Sequence, residues 1–301
     1  MLRAATILAV LTTLGICASA LGKDTPVSAD RSALNLTAFG PSLAWDREDS
    51  SGRHHLVSYT RVASLLSQPP PADLAVRPSD SPFDPDLGVD KKGQPAIVYT
   101  RCAGRSGRNC DIWGFDGKVE SKVRGASSSR CSEFAPSIWK GIVAFARSGS
   151  KACNGLYLKG RGPLLRLDSR VPADTDLRGN RVAYLHAPTA NRTTIRIFSF
   201  TREGGQSRVV VAGVRAKGER TRVTYPEFAG KYIYFLFQDI RRKEFLVGRS
   251  RTEAGSVLEF TKRTLPRFVD SIGVDGSTVY FTNGRGVFQA TDPAPRFSPR
   301  D

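Results

Sequence analysis

Asp174, Asp176, Glu227 and Asp270 come nearest, by type and spacing, to residues that could do chemistry. Hydrolysis of a glycosidic bond needs two carboxyls facing each other across a pocket, one to protonate the leaving oxygen and one to activate water or attack the sugar. Turn or pairing roles recurring along a repeated structure explain the same residues equally well. The stretch Asp84-Pro85-Asp86-Leu87-Gly88-Val89-Asp90 alternates carboxylates loosely as a calcium loop does. The parallel stretch from Asp270 to Asp275 marks that pattern as repeat chemistry, so no metal site is expected. His54, His55 and His186 are too few and too scattered to hold zinc. No Gly-x-Ser-x-Gly nucleophile elbow, sialidase-type Asp box, quinone-cofactor repeat or nucleotide-binding loop is visible. No catalytic residue and no cofactor are assigned.

The strongest compositional signal is charge: the chain of 301 residues carries a formal net charge of +17. Residues 1–20 have the layout of a secretory signal peptide. Arg3 supplies the positive start, residues 4–18 form an apolar run, and Ala18-Ser19-Ala20 is a small-x-small cleavage site. The stretch from 4 to 22 carries no charge and is also just long enough to act as a membrane anchor. Nothing later approaches that length. Beyond it lie Cys102, Cys110, Cys131 and Cys153, an even number that favours disulfides over metal ligation in an exported chain.

The elements that must position these residues are legible in a repeat. Leu43-Ala44-Trp45, Ile97-Val98-Tyr99, Val143-Ala144-Phe145, Val182-Ala183-Tyr184, Ile233-Tyr234-Phe235 and Val279-Tyr280-Phe281 recur at spacings of 54, 46, 39, 51 and 46 residues. Those periods suit a four-stranded propeller blade. A short apolar element ending in a turn precedes each triplet, and a third run such as Leu56 to Tyr59 or Ile195 to Phe200 follows it. A weaker fourth run comes next, as in Leu164 to Leu167. Short β-branched and aromatic runs between turn signals, with no sustained helical period, indicate an all-β chain. The expected fold is a six-bladed β-propeller of four-stranded antiparallel blades, forming one domain over residues 21–301. After the third strand of blade six only Ala290 to Asp301 remains, with three prolines that resist an inner ladder. Residues 25–32 are therefore expected to supply the outer strand of that blade.

Pro136-Ser137-Ile138 through Phe145, and Ser271-Ile272-Gly273-Val274-Asp275-Gly276 through Phe281, resemble the TolB-type propeller repeat: proline, short apolar strand, tight turn, aliphatic-x-aromatic strand. The resemblance covers roughly residues 33–290 and specifies blades rather than an activity. It implies an exported propeller. TolB itself carries a separate α/β domain ahead of its propeller, which residues 21–301 leave no room for.

In such blades the loops between second and third strands, and the connections from one blade to the next, emerge on one face of the disc. Cys102 and Cys110 flank one of these loops, and Cys131 and Cys153 lie next to each other on the same face. Cys102–Cys110 and Cys131–Cys153 are thus the most convenient bridges, with other pairings left open. Arg101, Arg105 and Arg108 fall on this face, as do Arg215, Lys217, Arg220, Arg222, Arg241, Arg242 and Lys243. Arginine forks suit phosphate and carboxylate. The expectation is an exported, monomeric, non-enzymatic binding or scaffold propeller that meets a protein or an anionic cell-envelope polymer through this face. A propeller hydrolase acting on a cell-wall or extracellular glycan is the alternative. Nucleic acid is not an expected partner, because the basic loops lack interleaved aromatics.

Overall fold

The computed structural model describes residues 24–62, 68–104, 107–160, 162–189, 192–201, 204–212, 221–239, 241–253, 257–261, 264–266, 268–290 and 297–299. These form six antiparallel sheets arranged as propeller blades. Strand β1 (Thr25–Ser28) precedes blade one, which comprises β2 (Ala33–Phe39), β3 (Ser42–Glu48), β4 (His54–Thr60) and β5 (Ala72–Asp73). Blade two is β6 (Pro85–Val89), β7 (Pro95–Ala103), β8 (Arg108–Phe115) and β9 (Glu120–Lys122). Blade three is β10 (Ser132–Trp139), β11 (Ile142–Ser148), β12 (Gly155–Lys159) and β13 (Leu165–Asp168). Blade four is β14 (Asp174–Arg178), β15 (Arg181–Thr189), β16 (Arg192–Thr201) and β17 (Gly204–Ala212). Blade five is β18 (Thr221–Ala229), β19 (Tyr232–Asp239), β20 (Glu244–Arg251) and β21 (Glu259–Thr261). Blade six is β22 (Ser271–Asp275), β23 (Thr278–Thr282) and β24 (Val287–Gln289), completed on the outside by β1.

That completion is the closure expected from the sequence, with Thr25 opposite Gln289 and Pro26 opposite Phe288. The chain end does something further: β25 (Phe297–Pro299) pairs with β21 and gives blade five a fifth strand. Its proline is tolerated because the strand lies at the outer edge of the sheet.

Each triplet lies on the second strand of its blade, and its pattern follows from strand geometry. Successive side chains point to opposite faces of a sheet. The aromatic therefore packs against the preceding blade, and the middle residue against the following one. Phe145 joins Val98 and Ile112 of blade two, whereas Ala144 joins Leu177 and Tyr184 of blade four. Trp45 meets Tyr280 and Val287 of blade six, which closes the ring of clusters. All six aromatics, Trp45, Tyr99, Phe145, Tyr184, Phe235 and Phe281, are 0 % exposed.

The inner strands alternate in a way the triplets do not reveal. In blades one, three and five the ladder slips by a bulge, between Leu34 and Thr37, Phe134 and Ser137, and Thr224 and Glu227. Asn35, Ala135 and Tyr225 sit in these bulges with φ of 50°, 48° and 53°. Strands β6, β14 and β22 run without a break. The propeller is thus built from three two-blade units.

Both disulfides form as expected, Cys102–Cys110 and Cys131–Cys153. Cys102 and Cys110 are direct cross-strand partners. Mass mapping under non-reducing conditions is expected to find these two linked peptides, and four free thiols would contradict them.

Candidate functional site

The six inner strands stack side chains around the axis in three levels. Residues opposite the middle triplet residue define the central level: Thr37, Asp86, Ser137, Asp176, Glu227 and Gly273. Two residues earlier, toward the face with the disulfides, lie Asn35, Asp84, Ala135, Asp174, Tyr225 and Ser271. Two residues later, toward the opposite face, lie Phe39, Gly88, Trp139, Arg178, Ala229 and Asp275.

This last level is a floor. Phe39 of blade one meets Trp139 of blade three edge-on, with centroids 6.0 Å apart. The Arg178 guanidinium of blade four lies 4.3 Å from the Trp139 centroid and 5.4 Å from that of Phe39. A cation over two aromatic faces is favourable in itself, and here it ties three blades together across the axis. At the central level Gly273 marks a close approach of backbones: a Cβ there would stand 3.0 Å from Ala38 N. The aromatic floor thus lies at the end of the axis away from the disulfide face, and the axial layers between it and that face are called the funnel below.

Its walls are acidic. Burial is the main cause that raises Asp84 and Asp176 to about 6, and the same cause lifts Asp86, Asp174 and Glu227 well above the ordinary carboxyl range. The carboxyls also act on one another: Asp176 and Asp174 push Asp86 up, while Asp176, Asp86 and Asp174 push Glu227 up. Tyr225 is raised too, first by burial and then by Asp174 and Asp84. Desolvation of the charged form and repulsion between like charges work in the same sense here.

Several of these carboxyls have a structural task. Ile138 N donates to Asp86 at 2.8 Å and Phe228 N donates to Asp176, so each holds the backbone just past the bulge of the following blade. Ala135 N donates to Asp84 in the same sense. At the remaining seam Ser271 takes the carboxylate's place, with Leu36 N donating to its hydroxyl at 2.9 Å. The pairing role foreseen for repeat-position acids thus accounts for Asp84, Asp86 and Asp176. Among the described residues Asp174 accepts only its neighbour's N–H, from Thr175, and Asp270, also raised by burial, accepts from Gly284 N.

Around the funnel mouth the basic residues divide. Arg101 is turned inward: it donates to Glu120 and to the Arg77 carbonyl and lies over the rings of Phe83 and Trp113. Arg147 does likewise, pairing with Glu133 at 2.8 Å and lying over Tyr157 at 4.8 Å. Arg47 occupies the same strand position in blade one and binds Asp73. A basic residue two places after the triplet aromatic, within reach of a carboxylate, is the signal that separates the internal Arg101 and Arg147 from surface arginines, while Arg47 makes the same pairing at the surface. Arg241, Arg242 and Lys243, by contrast, are exposed at the tip between β19 and β20, with Arg242 only 3.8 Å from Asp239. Arg222 is half-buried, its Nε without a hydrogen-bond partner among the described residues. Arg108 lies at the start of β8. Arg105, Arg215, Lys217 and Arg220 fall outside the described residues.

His54 and His55 bond Asp46 and Asp49, at 2.8 and 2.9 Å. A recess of about 310 Å³ lies between blades two and three beside both disulfides, and Asp111, Lys122, Ser127 and Ser128 are among its lining residues. Among the described residues, no three His, Cys, Asp or Glu side chains converge as metal ligands would. No described helix is long and apolar enough to cross a membrane.

No family model and no curated protein matches the chain. Solved structures do. The chain is similar to a Mycobacterium tuberculosis puromycin-hydrolyzing peptidase, with a TM-score of 0.55, 11% identity, and coverage of 92% of this chain and 54% of the peptidase. It therefore spans about half the length of that enzyme. It is also similar to the SapL1 lectin in complex with alpha methyl fucoside, at a TM-score of 0.53 and 10% identity, covering 87% of this chain and 94% of the lectin. A fucose-specific lectin from Aleuria aurantia matches at 0.52 and 11%, over 91% and 97% of the two chains. At such identities the likeness is one of fold: an all-β propeller shared by a peptidase and by lectins.

Proposed function

We propose that this protein is an exported, non-enzymatic binding propeller that holds an anionic partner against the face on which the disulfides and the funnel mouth lie. The observation that carries the reading is the exposed Arg241–Arg242–Lys243 tip on that face, in a chain of net charge +17. Guanidinium forks recognise phosphate and carboxylate groups, and two disulfides brace neighbouring loops. Disulfides also suit an oxidising compartment outside the cytosol, in keeping with the signal-like residues 1–20. The lectins show that a chain of this size and fold suffices for binding. Kinship with TolB-type propellers belongs to the same reading, supported by the repeat pattern of blades three and six.

Binding of the purified protein to a polyanionic wall polymer is expected to weaken as salt rises, because exposed charges are screened within about 10 Å at 0.1 M. Replacing Arg241, Arg242 and Lys243 together with glutamine is expected to lower that binding. Binding indifferent to both would overturn the reading.

A second reading, a hydrolase of cell-wall or extracellular glycans, draws on the raised carboxyls of the funnel, since a general acid must hold its proton near neutrality. Glycan turnover abolished by Asp174→Asn or Glu227→Gln would establish it in place of the first.

A further inference from the structure

Both disulfides border one recess. Cys110 of the first bridge and Cys131 of the second line the cavity of about 310 Å³ between blades two and three. Its walls are fixed at several further points. Cys110 N donates to Ser132 Oγ at 3.0 Å, which ties β8 of blade two to β10 of blade three. The connection entering blade three forms the other wall, and Arg147 Nη2 donates to its Ala126 carbonyl at 2.6 Å. Arg147 is itself buried and paired with the fully buried Glu133. On the blade-two side Lys122 Nζ donates to Asp111 at 2.6 Å.

What these walls present is polar. Ser127, Ser128 and Ser129 follow one another along the connection, and Asn109 lies on the blade-two wall with φ of 50°. Ser127 Oγ is buried and has no hydrogen-bond partner among the described residues. A buried hydroxyl in that state weakens the fold unless something else supplies the partner. Among the described residues, no aliphatic or aromatic side chain lines the recess.

We propose that the recess is a binding site for a single neutral sugar residue, with Ser127, Asn109 and Asp111 as its hydrogen-bonding groups. An apolar ligand would find no apolar side chain to bury against. A free anion or cation would meet Asp111 and Lys122 already neutralising each other. A metal ion needs several converging ligands, and no such group occurs among the described residues. A sugar hydroxyl both donates and accepts, as serine hydroxyls and the asparagine amide do, and a carboxylate accepts more than one such bond. The volume stands at the lower end of small-molecule sites, roughly 300–1,000 Å³, which suits one ring rather than a chain. Walls fixed in advance also lower the ordering cost that opposes binding of a polar ligand.

The inference goes beyond the proposed rim binding and is separable from it, because salt screens contacts between charges and leaves those to a neutral sugar intact. Saturation-transfer NMR of the full chain with glucose, galactose, mannose and N-acetylglucosamine, each in turn, supplies the test. Saturable one-to-one binding of at least one is expected, unchanged by salt. Ser127→Ala should weaken it about tenfold, or about 1.4 kcal/mol. The same substitution should leave the melting temperature unchanged or higher, since it removes a buried hydroxyl without a partner. Asn109→Gly keeps the left-handed backbone, removes the amide, and should weaken binding in the same direction. Failure of all four sugars to bind, or unchanged affinity in either folded variant, would overturn the proposal. Polyanion binding would stand in either case.

Discussion

Trp45→Ala is expected to destabilise the protein by about 3–5 kcal/mol, the usual cost of truncating a fully buried large aromatic. Trp45 is 0 % exposed and packs between blades six and one, where the propeller closes. Its Nε1 donates to Asp30 at 2.9 Å, which anchors the segment joining β1 to β2. The substitution would thus loosen core packing and the tether of the closing strand together, and the lost hydrogen bond adds about 1 kcal/mol. Urea unfolding followed by circular dichroism gives the comparison. Phe268→Ala is the control, since Phe268 is 75% exposed and its loss should stay within about 0.5 kcal/mol. Equal midpoints for the two variants would contradict the closure described here.

Acidification is expected to stabilise the protein between about pH 7.5 and about pH 5. In the unfolded chain the funnel carboxyls ionise near about 4. In the folded state burial and mutual repulsion hold Asp84 and Asp176 at about 6 and Asp86, Asp174 and Glu227 well above the ordinary range. Across that window the native state binds more protons than the unfolded one, so stability falls as pH rises. Each pH unit between folded and unfolded values is worth about 1.4 kcal/mol. The two acids at about 6 therefore contribute on the order of a few kcal/mol, a rise in melting temperature of several degrees. Other charged groups facing the cluster are few: Arg178 favours the ionised form of Asp176, while Asp46 and Asp270 are themselves raised by burial. Asp49 and Asp116 are held low by bonds from Ser51 and from Val119 N–H, and they weaken the fold only as pH falls below about 4. Glu227→Gln should raise the melting temperature near neutrality and flatten its pH dependence. A melting temperature that rises with pH across this window would contradict the uncompensated funnel.

The contrast between what the sequence shows and what it hides has a physical basis. The triplets are legible because a strand packed on both faces needs an apolar residue at every position, and the aromatic marks the larger gap toward the preceding blade. Closure and both disulfides follow once strand order is known. The bulges of β2, β10 and β18 escape notice because a left-handed backbone is ordinarily advertised by glycine or asparagine. Asn35 fits that habit; Ala135 and Tyr225 do not. Each precedes a proline, Pro136 and Pro226, which disfavours the right-handed helical region but favours extended backbone, so it does not announce the left-handed one. The bulges set which side chains share a level, so the Phe39–Trp139–Arg178 floor could not be read before them. The acids Asp174, Asp176 and Glu227 are legible as inner-strand residues, but not the pairing that separates Asp176, held by Phe228 N, from Glu227. Arg101 reads as a loop cation and is instead the internal partner of Glu120.

The central claim is that partners meet the face where the disulfides and funnel mouth lie. Hydrogen exchange of the full chain with and without a polyanionic wall polymer tests it most directly. The account predicts protection confined to that face, foremost at Arg241–Lys243 between β19 and β20. Protection confined to the opposite face, around the turns at Gly40, Gly141 and Gly276, would contradict it.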